Sequence, residues 1–145
     1  MTYARQDDAK HDPVRGDGLG FVDVFSTNGK FLRRFASRGV LNAPWGVVRA
    51  PIGFGKFGGD VLIGNFGNNG HFAGWINAFD NRGGFRGELR TPRGRPVSID
   101  GLWALSFGTF ATSDGDTRYF TAGTNDEADG LFGKLTAVTS ESHGR

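Results

Sequence analysis

The middle of the chain contains four short apolar runs, each of the length of a β-strand. They occupy residues 45–48, 60–64, 74–79 and 84–89. Each run is rich in β-branched or aromatic residues and is bounded by Gly, Asn, Asp or Pro, which is typical of antiparallel strands joined by short turns. This stretch therefore predicts one four-stranded antiparallel sheet, and parts of it recur on both sides.

The chain matches itself at two shifts. Residues 20–31 match residues 74–85 without a gap, at a shift of 54. Residues 42–47 match 100–105, and residues 61–65 match 119–123, both at a shift of 58. A repeat of this length with four strands per unit is in the range of a β-propeller blade, and the absence of a long 3.6-residue pattern argues against a helical solenoid.

The strands of one repeat can be called A to D, counted outward from a central axis. The sequence then predicts B, C and D at 2–5, 21–25 and 30–35; A to D at 45–49, 60–64, 75–79 and 84–89; and A to C at 103–107, 118–122 and 132–138. The B to C loops fall at 6–19, 65–73 and 123–130.

The predicted fold class is all-β, a partial β-propeller of about 2.5 four-stranded antiparallel blades around an open axis. The domain would cover residues 1–138, with a half blade at 2–35, a full blade at 43–90 and an incomplete blade at 101–138. A flexible tail is expected at 139–145.

Composition agrees with this fold and excludes several functions. The 25 glycines and 14 phenylalanines of the 145 residues suit many turns between layers of rings. With no cysteine there is neither a disulfide nor a thiolate nucleophile. The 17 Lys and Arg residues are dispersed and the net charge is only +2, which argues against nucleic-acid binding. No apolar stretch approaches 18 residues, so no membrane span is predicted.

The repeated segments carry a family resemblance. Residues 44–47, 61–65 and 76–80, with 84–85, resemble a repeat of the NHL type. Residues 3–7 with 10–12, 41–46, 64–67, 99–103 and 119–127 are similar to an uncharacterised family of bacterial proteins, and this match covers nearly the whole chain. That resemblance implies an exported six-bladed propeller more than twice this length, of which the chain resembles the C-terminal portion, without a signal peptide of its own. NHL-like proteins include protein-binding, RNA-binding and lyase-type or lactonase-type members, so the fold does not choose the function.

A ligand site is expected at the mouth of the propeller channel, where strand A begins. Asn42 and Asp100 hold equivalent repeat positions there, with Trp45 and Trp103 just behind them. An amide, a carboxylate and flat rings at a concave mouth suit a sugar, a lactone or a cation. The alternative is that Asn42 and Asp100 cap turns while both tryptophans pack between blades. We expect both indoles to be largely buried.

The acidic B to C loops suggest a second site. Asp126, Glu127 and Asp129 are the candidate ligands for Ca²⁺, which prefers oxygen donors. None of these loops has the spacing of an EF-hand, and an ordinary solvated loop is the alternative. No catalytic residue is predicted, because the three histidines lie in loops or in the tail and there is no Gly-x-Ser-x-Gly motif.

The sequence thus favours a binding or scaffold module for a protein or carbohydrate ligand at the loop face. The alternative is a metal-assisted hydrolase or lactonase of the six-bladed propeller type, with its site at the channel mouth. Polyanion binding through the scattered arginines is a third possibility. Because an open ring leaves two blade surfaces bare, self-association or contact with further blades is also expected.

Overall fold

The computed structural model describes residues 1–108 and 117–137, and this part of the chain is built from β-strands. The strands are β1 (Thr2–Gln6), β2 (Pro13–Val14), β3 (Gly20–Phe25), β4 (Phe31–Ser37), β5 (Pro44–Arg49), β6 (Val61–Asn65), β7 (Ile76–Phe79), β8 (Phe85–Glu88), β9 (Leu102–Phe107), β10 (Thr117–Thr124) and β11 (Asp129–Thr136). One 3-10 turn, Gly55–Phe57, lies between β5 and β6.

The strands form three antiparallel sheets that follow one another along the chain. Sheet 1 has the order β2-β1-β3-β4, sheet 2 has the order β5-β6-β7-β8, and sheet 3 has the order β11-β10-β9. The predicted all-β fold, a series of antiparallel units, is confirmed, and in sheets 2 and 3 the strands are paired in chain order. Every predicted strand overlaps an observed one, because alternation, turn residues and β-branched content agree at each of them.

Two features of the sheets differ from the prediction. The first unit does not begin at its second strand, because the two-residue strand β2 pairs with β1 on the edge that β5 and β9 hold in the other sheets. Two residues that start with a proline carry no strand signal. In addition, residues 123–130 are not a long loop. Strands β10 and β11 continue to a tight turn in which Asn125, Asp126 and Glu127 all have positive φ.

Strands β1, β5 and β9 bring the three sheets into contact. Strand β5 contacts β9 of sheet 3 and also β1 of sheet 1. The close approach to β9 requires a glycine, because a Cβ on Gly46 would lie 2.7 Å from the carbonyl oxygen of Trp103.

Sheet 2 is buried on both faces. On one face Ile63 and Phe79 pack with Val22 and Phe35 of sheet 1. On the other face Leu62, Ile76 and Ala78 pack with Leu102, Leu105 and Phe120 of sheet 3. Since successive side chains of a strand point to opposite faces, sheet 2 supplies half of each of two cores.

The strand pairing in the structure shows which of the residue shifts found in the sequence are correct. The shift of 54 agrees with the structure, because Val22 and Ile76, which it aligns, each face the following sheet. The shift of 58 agrees with the structure for the first strands, β5 and β9. It aligns Pro44 with Leu102, and each of these begins the pairing of its strand with the next one, β6 or β10.

For the second strands the shift is 57. Pro44 pairs with Asn65 and Leu102 pairs with Ala122, so Asn65 corresponds to Ala122 and not to Gly123. A slip of one residue exchanges the two faces of a strand. Sequence comparison missed it because Tyr119 and Phe120 are both large rings that fit the pattern equally well.

The turn between β7 and β8 is organised by one carboxylate. Oδ1 of Asp80 accepts hydrogen bonds from the backbone N–H groups of Arg82 and Gly84, at 2.7 and 2.9 Å. These bonds favour the charged form and lower the pKa of Asp80, with the Gly84 bond the largest cause.

Substitution of Gly46 tests the contact between β5 and β9. We expect Gly46→Ala to lower the free energy of unfolding by about 1–3 kcal/mol, because the methyl group meets a backbone oxygen that cannot rotate away. Urea unfolding followed by circular dichroism measures the change. Gly130→Ala is the matched control, since a Cβ at Gly130 meets nothing within 4 Å. Equal stability of the two variants would contradict the close approach.

Substitution of Asp80 tests the β7–β8 turn through its pH dependence. Because the pKa of Asp80 is lower in the folded than in the unfolded chain, its contribution is complete above the ordinary value of 3.8 and is lost as the pH falls through the folded pKa. The difference in unfolding free energy between the native chain and Asp80→Asn should therefore be larger at pH 7 than at pH 3. An equal difference at pH 7 and pH 3 would contradict this role of Asp80.

Candidate functional site

An open groove lies between the first strands of sheet 1 and the start of sheet 2. Its volume is about 540 Å³. The lining residues come from β1, from the β1–β2 turn and from the start of β5: Thr2, Tyr3, Ala4, Gln6, His11, Asp12, Pro13, Pro44 and Trp45. We call this the β1–β5 groove. It combines two exposed aromatic rings with hydrogen-bonding side chains.

The aromatic wall of the groove is held in place from behind. Trp45 is 50% exposed, and its ring packs against the buried ring of Phe66, with centroids 5.2 Å apart. The guanidinium of Arg15 lies over Phe66, 4.8 Å from its centroid. The hydroxyl of Thr2 donates a hydrogen bond of 3.0 Å to the carbonyl oxygen of Trp45, which joins the two sides of the groove. Much of the Trp45 ring therefore faces solvent from a supported position.

The polar wall of the groove is the turn between β1 and β2. Oδ1 of Asp7 accepts the backbone N–H of His11 at 2.8 Å, and the backbone N–H of Asp7 donates to the carbonyl of Asp12 at 3.0 Å. Nδ1 of His11 lies 3.1 Å from Oδ2 of Asp12, and this hydrogen bond is the main cause that raises the pKa of His11. The turn thus presents a His–Asp pair beside the amide of Gln6.

A buried amide network lies next to the groove. The side-chain oxygen of Asn42 accepts the N–H of Gly16 at 2.8 Å, and its amide nitrogen donates to the carbonyl of Asn69 at 2.6 Å. Its backbone N–H donates to Asn65 Oδ1 at 3.0 Å. Asp17 accepts the N–H groups of residues 71 and 72 at 2.8 and 3.0 Å. These bonds tie the β2–β3 and β6–β7 loops to the start of β5.

The four residues predicted for the channel mouth are not brought together. Asn42 is fully buried in the network just described. Asp100 is exposed and accepts the N–H of Asn125 at 3.2 Å. Trp103 is half-buried and donates from Nε1 to Glu127 at 3.1 Å. Only Trp45 lines the β1–β5 groove.

The prediction that both tryptophans are largely buried is wrong. In strand β5 the position that faces sheet 3 is Gly46, and the strands are too close there for a large ring. Trp45, one residue earlier, points away from that contact and remains half exposed. The repeat correctly aligned the two tryptophans but could not show which side of the strand faced the neighbouring sheet.

The predicted calcium ligands are each engaged with a protein partner. Asp126 pairs with Arg15 at 2.9 Å, Glu127 accepts from Trp103, and Asp129 accepts from the amide of Asn125 at 3.3 Å. Within residues 1–108 and 117–137, no group of three His, Cys, Asp or Glu side chains is placed to hold a metal ion.

A second cleft, of about 430 Å³, lies between sheets 2 and 3. Its lining is mostly apolar: Phe54, Gly55, Lys56, Phe57, Glu88, Leu89, Arg90, Thr91, Pro92, Val97, Leu135, Thr136 and Ala137. Behind it Arg118 is fully buried, with its guanidinium 4.8 Å from the Phe54 ring centroid and 5.1 Å from that of Phe107. Its three side-chain nitrogens have no hydrogen-bond partner among the described residues. Burial lowers the pKa of Arg118 to about 9, which leaves it charged at neutral pH.

Sequence reasoning missed most of the β1–β5 groove and all of the cleft. Tyr3 was assigned to an ordinary strand, and Gln6, His11 and Asp12 were assigned to the loop that follows it. The groove forms only because β2 folds back on β1, and a two-residue strand gives no signal. Arg118 did offer one, since a charged residue next to an apolar run in a predicted strand is unusual.

No helix among the described residues is long and apolar enough to cross a membrane.

Comparison with known proteins finds similar sequences in a virus of amoebae. The chain is 38% identical over 136 residues to "Uncharacterized protein R648" of Acanthamoeba polyphaga mimivirus, a match that covers 93% of the chain and 32% of the relative. It is 40% identical over 133 residues to "Uncharacterized protein L690" of the same virus, covering 88% of the chain and 33% of the relative. A third, "Uncharacterized protein R640", is 34% identical over 126 residues, which are 86% of the chain and 22% of that protein.

The chain therefore spans about a third or less of the length of the curated relatives it matches. No family model and no solved structure matches it.

Substitution of Asn42 tests the buried network. We expect Asn42→Ala to lower the free energy of unfolding by about 2–3 kcal/mol, because it leaves the buried partners of the amide unsatisfied. Chemical unfolding measures this, with the exposed loop residue Asn68, changed to Ala, as the control. A change below about 0.5 kcal/mol for Asn42→Ala would show that the loops are held in another way.

Proposed function

We propose that this chain is a carbohydrate-binding module built as part of an NHL-like β-propeller. The observation that carries the proposal is the half-exposed indole of Trp45, supported by Phe66, in a groove that also presents Tyr3. The propeller assignment is supported by the three sheets in chain order, the strand order of sheet 2 and the approach of β5 to β9. Relatives named only as uncharacterised proteins do not contribute to this proposal.

The chemistry of the groove suits the two kinds of surface that a sugar ring has. The C–H face of a pyranose is apolar and packs on a flat aromatic ring, and Trp45 and Tyr3 offer 50% and 39% exposed side chains for this purpose. The hydroxyl groups at the edge of a sugar both donate and accept hydrogen bonds. Gln6, His11 and Asp12 provide donors and acceptors of both kinds in the same groove.

The charge of the groove favours a neutral sugar. Asp12 is the single carboxylate among the lining residues and is paired with His11, so the two charges offset one another when the histidine is protonated. A groove for a polyanion would gather several Lys or Arg side chains, and none lines this one. The ligand class is therefore a neutral oligosaccharide, bound along an open groove and not enclosed in a cavity.

The number of carboxylates that line the groove favours binding of the sugar without hydrolysis. Most glycoside hydrolases use two carboxyl groups on opposite sides of the scissile bond. The described lining of the β1–β5 groove contains one. The metal-assisted hydrolase or lactonase has no specific observation in its favour among the described residues.

Substitution of Trp45 tests this function. Isothermal calorimetry or a glycan array would measure binding of neutral oligosaccharides derived from cellulose, xylan, mannan and chitin. We expect Trp45→Ala to weaken binding of the recognised oligosaccharide at least tenfold. Because the ring is half exposed, Trp45→Ala should lower the free energy of unfolding by well under the roughly 3–5 kcal/mol typical of a buried aromatic residue. The variant should therefore remain folded.

The control is Phe85→Ala, which removes a ring of similar exposure, 48%, on strand β8, outside the groove. This variant should bind as the native chain does. The proposal fails if no oligosaccharide of the panel binds, or if one binds equally to the native chain and to Trp45→Ala.

A further inference from the structure

The three sheets pack in a repeating way. We define the forward face of a sheet as the one toward the next sheet along the chain, and the rear face as the opposite one. The forward faces of sheets 1 and 2 are apolar. Sheet 1 presents Val22 and Val24, and sheet 2 presents Leu62, Ile76 and Ala78. Each forward face is covered by the rear face of the following sheet.

The register of sheet 3 identifies its own forward face. Leu62 pairs with Ala78 in sheet 2, and Tyr119 pairs with Lys134 at the equivalent place in sheet 3. Likewise Gly64 pairs with Ile76, and Thr121 pairs with Phe132. The forward face of sheet 3 therefore presents Tyr119, Thr121, Phe132 and Lys134.

This face has the character of an uncovered interface. Phe132 is 70% exposed, whereas its equivalent Ile76 is 0% exposed. The rings of Phe132 and Tyr119 are stacked, with centroids 5.7 Å apart and planes 7° from parallel. Together they form a flat aromatic surface where sheet 2 has a buried core.

The rear face of sheet 1 has the complementary position. By the repeat of 54 residues, Phe21, Asp23 and Phe25 correspond to Trp75, Asn77 and Phe79 on the rear face of sheet 2. In sheet 1 no preceding sheet of the described chain covers them, and Phe21 and Phe25 are partly exposed, whereas Asp23 between them is buried. Arg34 bonds to Asp23 and lies over the ring of Phe21, with its guanidinium 4.5 Å from the ring centroid.

We propose that the rear face of sheet 1 of a second copy covers the forward face of sheet 3, and that the reciprocal contact closes a two-fold ring of six sheets. The forward faces of sheets 1 and 2 are each covered by the rear face of another sheet. Among the described residues, sheet 1 is the sheet whose rear face has no other sheet over it. The guanidinium of Arg34 can stack on the Tyr119–Phe132 pair, as arginine does on aromatic faces. Six sheets lie within the four to eight blades of known propellers.

This assembly rests on the propeller architecture of the proposed function but not on its ligand. Each contact joins two different surfaces, sheet 1 of one copy and sheet 3 of the other, and a two-fold rotation relates the two contacts that complete the ring. Pairing of two β11 edges, or of two sheet 3 faces, would instead be a contact of one surface with itself. The two kinds of dimer can be told apart by mixing variants.

The first measurement is the mass in solution of the whole chain, by light scattering and sedimentation between about 1 and 100 µM. We expect a dimer, twice the 15.6 kDa of one chain. Phe132→Asp and Phe25→Asp should each weaken dimerisation at least tenfold. Ile52→Asp, at an 85% exposed loop position, should leave it unchanged. Circular dichroism checks that each variant is folded.

The second measurement mixes Phe132→Asp with Phe25→Asp. In the proposed dimer one of the two contacts then has both substitutions and the other has neither, so we expect dimers to reappear in the mixture. A mixture that dimerises no better than the separate variants would overturn the proposal, and so would a native chain that is monomeric up to 100 µM. Trp45-dependent oligosaccharide binding is measured separately, so the two proposals fail independently.

Discussion

Burial of sheet 2 on both faces is the constraint on which the rest of the structure depends. A strand whose two sides both enter a core cannot slip by one residue without exchanging its faces. Leu62 and Ile63, adjacent in sequence, belong to different cores, and together they fix the order of the three sheets. The same packing requires a glycine at position 46. Strand β5 lies so close to β9 that a side chain at this position would meet the backbone of Trp103.

Buried amide side chains hold the loops that connect the sheets. Asn65 and Asn77 both donate to the carbonyl of Val40, at 2.8 and 2.9 Å, while Asn42 holds the loops on the other side. Buried polar groups are stable when they are hydrogen-bonded, and the bonds of Asn42 and Asn65 specify one arrangement of the loops. Oδ1 of Asn77 has no partner among the described residues. The network holds the loops at the start of β5, beside the β1–β5 groove, but none of its side chains lines the groove.

The exposed aromatic residues of the β1–β5 groove and of the forward face of sheet 3 have different surroundings. Trp45 lies beside polar side chains that can bind a small polar ligand, and its ring is supported from behind. Phe132 lies on a flat face whose equivalents are cores in the two preceding sheets. Both are exposed rings, but the first has the surroundings of a ligand site and the second those of a missing contact.

The sequence by itself determined the fold class, the position of nearly every strand and the repeat of 54 residues. It could do so because alternation of side chains and turn chemistry are local properties, visible within a few residues. Only the tertiary structure decided which face of a strand met which sheet. For that reason Trp45 is exposed and Asn42 is buried, the reverse of their expected roles. The two-residue strand β2 and the groove it forms with β1 and β5 depend on contacts between distant residues, and these leave no periodic trace in the chain.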